Sequence, residues 1–259
     1  MATLGSAPTQ VEASFSAPAA SAATPAPRHA LLVRVTHWIF ALCFFALLVT
    51  GLEIVVSHPR FYWGETGNVN MAPLFKIPIP ASRNAVPTGY GYVLPDQNGW
   101  SRYLHFQSAW LVVFTGLLYA LYGLFAGHFR KHLLPAGEHL SRKNLSAAIV
   151  SHLRFERPGE AEAHSYNVLQ RLAYAFIVFV MFPLMILTGL AMSPAFNSAF
   201  PAVVNTLGGH QTARTLHFFL TIAFVLFLLV HLLMLFLAGF LHRCRAMITG
   251  HVPANKEGK

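Results

Sequence analysis

The sequence predicts an all-α protein, a four-helix bundle that crosses a membrane with both termini on the cytoplasmic side. Three observations lead there. Of the 259 residues 55% are hydrophobic and only 10% are charged, too few charges to clothe the surface of an ordinary soluble domain. Four apolar segments each reach the roughly 20 helical residues needed to cross a hydrocarbon core of about 30 Å. Lysine and arginine also collect on alternate connections between those segments, as the preference for basic cytoplasmic flanks requires.

Residues 1–29 come first, an Ala-, Pro- and Ser-rich stretch whose opening "MATLGSAPTQVEASFSAPAASAATPAP" has neither a core-forming pattern nor the basic start of a signal peptide. It is expected to be a disordered cytoplasmic arm. The first span covers about 31–56 and leads into an outer loop over 57–101, rich in Pro, Gly and aromatics. A loop of that length is uncommon unless it carries a function or is disordered. The second span, about 103–126, is followed by an inner connection over 127–171, in which "LSRKNLSAAIVSHL" fits a short helix lying at the membrane surface. The third span covers about 172–193, a turn follows over 194–213, and the fourth span covers about 216–241. The bundle domain thus runs from 30 to 250, and 251–259 form a cytoplasmic tail.

With the N-terminus inside, the inner side holds Arg28, Arg34, Arg130, Lys131, Arg142, Lys143, Arg154, Arg157, Arg171, Arg243, Arg245, Lys256 and Lys259, and the outer side only Arg60, Lys76, Arg83, Arg102 and Arg214. The formal net charge of +9 is therefore a consequence of topology and calls for no nucleic-acid partner. Cys43 and Cys244 show no haem-attachment or zinc spacing and are expected to be unpaired.

Of fourteen histidines, only His37, His105, His217 and His231 fall within the spans. An imidazole in hydrocarbon without a partner costs on the order of several kcal/mol, so each of the four needs one. His37 belongs near the inner surface, His105 and His217 near the outer. His231 follows His217 by fourteen residues, about 21 Å deeper on nearly the same helix face. Depth therefore matches His105 with His217 and His37 with His231, each pair drawn from two helices. Paired imidazoles at one depth in a bundle suit a metal with two axial nitrogen positions, and haem iron is the common one. Two haems b are the expected cofactors. Gly51, Gly116, Gly123 and Gly189 could give a porphyrin edge room, although glycines also serve ordinary close helix packing. R-V-T-H, R-Y-L-H and R-T-L-H place Arg34, Arg102 and Arg214 three residues before a ligand candidate, on the same helix face, where guanidinium groups could hold haem propionates.

The motifs "RVTHW", "RYLHF", "YNVLQRLAY" and "RTLHF" with His231 together resemble the bacterial cytochrome b561 superfamily of four-helix dihaem membrane subunits, over about residues 30–250. Members of that kind are the cytochrome b subunits of nickel-iron hydrogenases, formate dehydrogenase and thiosulfate reductase. "HPRFYWG" and "MSPAF" look most like members associated with a periplasmic molybdopterin oxidoreductase. The resemblance implies a quinone site beside the inner haem at the start of helix three, which maps here to Tyr166, Asn167, Gln170 and Arg171. It also implies electron transfer between the quinone pool and a periplasmic redox subunit that docks on the outer loop and the 194–213 turn. The direction of flow is not legible, and the chain has no molybdopterin, iron–sulfur or nickel motif of its own. Two rivals stand beside this expectation: a free-standing oxidoreductase whose outer haem meets a small molecule, and a haem-free transporter that couples protons through its histidines.

Overall fold

In the computed structural model the described residues are 30–68, 70–78, 99–134, 146, 150, 168–237 and 239–250. The arm over 1–29, nearly all of the surface helix expected at 140–153 and the tail over 251–259 lie outside them. Four helices are long and apolar enough to cross a membrane: α1 Leu31–Ser57, α2 Trp100–Phe125, α3 Val168–Ala191 and α6 His210–Leu237. Two short helices, α4 Pro194–Ala199 and α5 Pro201–Thr206, join α3 to α6, each opened by a proline in its first turn, where the missing N–H costs nothing. A last helix, α7 Phe240–Thr249, follows a break at Gly239, whose φ of 91° is open to glycine.

The bundle is apolar outside and small or hydroxylated inside. Leu42, Phe45, Val49, Phe114, Leu226, Leu229 and Phe236 face outward, while Thr36, Thr50, Ser108, Thr115, Thr188 and Thr215 are buried. That distribution suits lipid as solvent, because packing between helices, not exclusion of water, must hold them together, and small side chains bring backbones close. Thr36, Thr50 and Thr188 satisfy their hydroxyls by donating to carbonyls one turn back in their own helices, Leu32, Ala46 and Leu184, at 2.9, 2.7 and 2.8 Å. α1 packs along α2, and the second half of α3 packs along α6.

α3 is not a regular helix. Ile177–Met181 form a π turn in which the Phe182 N–H reaches back to the Ile177 carbonyl. Pro183 explains it: proline has no N–H to give residue 179, and its ring crowds that carbonyl, so the turn widens. Ile177 and Met181 line the widened turn and pack with Phe224 of α6, joined by Phe44 of α1 and Phe182. This apolar cluster lies at mid-span, with Phe224 halfway between His217 and His231 in the sequence.

The outer loop adds an element absent from the all-α expectation. β1 Arg60–Phe61 pairs antiparallel with β2 Phe75–Lys76. Phe61 and Phe75 stack at 4.6 Å and rest on Phe218 of α6 at 4.5 and 5.8 Å. The ribbon is tied to the start of α6 by polar bonds: Gly64 N–H donates to Thr212 Oγ1 at 2.7 Å, Thr215 Oγ1 donates to the Tyr62 carbonyl at 2.7 Å, and His210 N–H donates to Glu65 Oε2 at 2.9 Å. The last of these places a carboxylate on the open N–H groups that begin the helix. Gly209 makes the approach possible: its φ is 98°, and a Cβ there would come within 2.8 Å of the Glu65 backbone. α6 therefore starts at 210, a turn and a half earlier than hydropathy alone suggests, because its polar first turns are covered.

Candidate functional site

Near the outer end of the bundle, α2 presents a histidine from its second turn and α6 one from its third. His105 and His217 face one another with ring centres 6.4 Å apart and planes at 60°. Two imidazoles that bind one metal from opposite sides through bonds of about 2 Å have ring centres roughly 6 to 6.5 Å apart, so the donor set and its spacing suit a six-coordinate haem iron. The site sits between two matching helix ends. Thr50 Oγ1 of α1 lies 2.9 Å from His105 Nδ1, and Thr188 Oγ1 of α3 lies 3.0 Å from His217 Nδ1. In each helix the next residue is a glycine under the ring: a Cβ on Gly51 would stand 3.5 Å from His105 Cε1, and one on Gly189 3.4 Å from His217 Cε1. The imidazoles thus lie directly on helix backbone.

Neither threonine carries the chemical rarity that marks a histidine in an apolar run. The signal available in the sequence is repetition: V-T-G-L at 49–52 and L-T-G-L at 187–190, each followed one helix later by R-x-L-H-F, at 102–106 and 214–218. The first two helices and the last two build one half-site each on the same plan.

At the inner end His37 of α1 and His231 of α6 are within electrostatic reach of one another. His231 is flanked by Phe227 at 5.9 Å and Tyr174 at 6.4 Å, and His37 by Trp38 at 5.3 Å. Buried His37 Nδ1 has no hydrogen-bond partner among the described residues, in contrast to both outer histidines. A buried ring nitrogen left in this state marks a place where a further group could be held.

Two of the three arginines are engaged with the protein. Arg34 donates to the Ile248 carbonyl at 2.5 Å, and Trp38 Nε1 to the Met247 carbonyl at 3.4 Å, which docks the C-terminal end of α7 on the start of α1 with a cation at its negative pole. Arg214 donates to the His58 carbonyl and lies 4.9 Å over the Phe61 ring, clamping the cap beside the outer histidines. Arg102 is exposed at the same end. Burial, with Arg214 and then Arg102 nearby, pushes the His58 imidazole below its ordinary pKa. Of the four glycines expected to give room, Gly51 and Gly189 lie against histidines, whereas Gly116 accommodates Phe40 and Gly123 the ring of Phe129. The latter pair serve helix packing. Tyr166 and Asn167 lie outside the described residues. Gln170 and Arg171 open α3, and Arg171 donates to the Leu134 carbonyl at 3.4 Å, tying the start of α3 to the segment that follows α2. Cys43 and Cys244 are both free thiols.

Residues 28–250 match the family model described as prokaryotic cytochrome b561. The chain belongs to that family. It is accordingly a multi-pass protein of the inner membrane and a haem-binding electron-transfer subunit. Among curated relatives of this cytochrome is a protein of Azospira oryzae with the provisional name protein-methionine-sulfoxide reductase subunit YedZ1, 29% identical over 223 residues, which are 86% of this chain and 96% of the relative. No solved structure matches.

Proposed function

We propose that the chain is a dihaem cytochrome b that carries electrons across the inner membrane between the quinone pool and a redox subunit docked on the outer face. The observation that carries this reading is the His105–His217 pair, two imidazoles brought from separate helices to the spacing of an iron-centred site. His37 and His231 are the ligands of the second, inner haem. Each bound haem supplies a one-electron ferric/ferrous couple.

The residues of the chain do the rest. The four histidines fix where the couples sit, and the apolar cluster of Phe44, Phe182 and Phe224 keeps water from the space between the two levels. Arg34 and Arg214 lie near the two pairs, where with Arg102 their guanidinium groups can meet propionates. Tyr166, Asn167, Gln170 and Arg171 form the quinone site at the inner end of α3, where hydrogen-bonding groups can hold a quinol and take its protons.

The outer partner is a periplasmic molybdopterin oxidoreductase. The name of the Azospira oryzae relative supports a partner that reduces methionine sulfoxide in proteins, and a reductase draws electrons outward, from quinol to the outer face. The clamped cap at the start of α6 weighs against an outer haem open to small molecules.

The test is pre-steady-state reduction of the purified protein by a short-chain quinol, followed at the haem absorption. Arg171→Ala and Asn167→Ala each remove a polar contact worth about 1.5 to 3 kcal/mol if charge-assisted. The expected result is a rate lower by on the order of tenfold or more, with an unaltered spectrum. An unchanged rate in both removes these residues from the quinone site.

A further inference from the structure

We infer that Thr50 and Thr188 are positioning residues that fix the tautomer of His105 and His217, presenting both Nε2 lone pairs to one iron and setting the potential of the outer centre. The inference rests on the dihaem reading above and adds to it a role for two side chains that touch neither iron nor quinone.

A threonine hydroxyl has one proton and can donate once. Thr50 Oγ1 lies 2.7 Å from the Ala46 carbonyl, and Thr188 Oγ1 lies 2.8 and 3.0 Å from the Leu184 and Met185 carbonyls. Carbonyl oxygens only accept, so both hydroxyl protons are spent within the helices. Toward the imidazoles each oxygen can then only accept, and the proton between Thr50 and His105, and between Thr188 and His217, must ride on Nδ1. A neutral imidazole with its proton on Nδ1 has its free lone pair on Nε2. Both outer ligands are therefore set in the binding tautomer by backbone-anchored hydroxyls that are themselves buried, Thr50 at 1% and Thr188 at 0% exposure.

A ligand that donates its second N–H is a more basic ligand and is held in a fixed ring orientation. Greater basicity favours the more positive iron, so the two threonines lower the potential of the outer couple. The inner level has no such device at His37, whose Nδ1 lacks a partner among the described residues. The effect should thus be confined to one of the two centres.

The experiment is a spectroelectrochemical redox titration of the full-length protein in detergent, with haem content measured on the same samples. Thr50→Val and Thr188→Val keep the shape and remove the acceptor. Each should move the outer midpoint to higher potential and leave the inner midpoint where it is, while Thr50→Ser and Thr188→Ser, which keep the hydroxyl, should restore it. Full haem content with unmoved midpoints in both valine variants overturns the inference and leaves the dihaem reading intact. If valine instead costs the outer haem, serine and alanine decide, because they differ only in the hydroxyl: haem retained in serine and lost in alanine supports the inference, and equal loss in both overturns it. Wild-type protein that never binds haem b overturns both readings together.

Discussion

A histidine in a membrane span is informative because it is expensive, and the four here divide the molecule into an outer and an inner level. At the outer level the geometry is complete: His105 and His217 face one another across 6.4 Å, each backed by a Thr-Gly pair. At the inner level His37 and His231 are near one another, but His37 Nδ1 is without a hydrogen-bond partner among the described residues. In the dihaem reading proposed above each level draws its ligands from different residues, so single substitutions should separate the centres. His217→Ala is expected to abolish the outer haem and spare the inner, and His231→Ala to do the reverse, roughly halving the pyridine haemochrome yield per chain in each case. Loss of neither centre in either variant would refute the ligand assignment. The histidines were legible in the sequence by their rarity among apolar neighbours. Thr50 and Thr188 were not, because threonine is common in packed membrane helices and its meaning here depends on which turn of α1 and α3 faces the ring.

At the level of elements, hydropathy located α1 and α2 to within a few residues, since nothing but lipid and close packing determines where those helices run. It did worse wherever tertiary contacts decide. The first turns of α6, "HQTART", are polar and read as loop, yet they are helical because the ribbon caps them with Glu65 and fills Thr212 and Thr215 with backbone partners. The fourth span was also read too far, to 241, where Gly239 ends α6 and the basic α7 turns back toward Arg34 and Trp38. The π turn in α3 is a consequence of Pro183 that no apolar periodicity reports. The cap offers a test of its own. Gly209→Ala forces a side chain into a positive-φ position against the Glu65 backbone and should destabilise the cap by about 1 to 3 kcal/mol. Limited proteolysis should then cut the segment between α1 and α2 faster than in wild type, while thermal unfolding of the helices moves little. Equal cleavage rates would show that the ribbon does not depend on that approach.

At the scale of the whole molecule, one apolar rod carries a histidine pair toward each of its two ends. The end that carries His105 and His217 is closed by the ribbon, α4 and α5, which in the function proposed above is the surface a redox partner meets. At the other end Tyr174 and Phe227 flank His231, and α7 docks on the start of α1 beside His37. Family membership over residues 28–250 fixes the chain as a membrane haem-binding electron-transfer subunit, and the function proposed above gives that statement a mechanism in which paired histidines hold two redox couples at two depths. The central claim is the count of those couples. A dithionite-reduced minus oxidised spectrum of the purified protein, with pyridine haemochrome quantitation against total protein, should give two haems b per chain and a sharp low-spin α-band. A fully folded preparation that is colourless, or that saturates at one haem, would contradict the account.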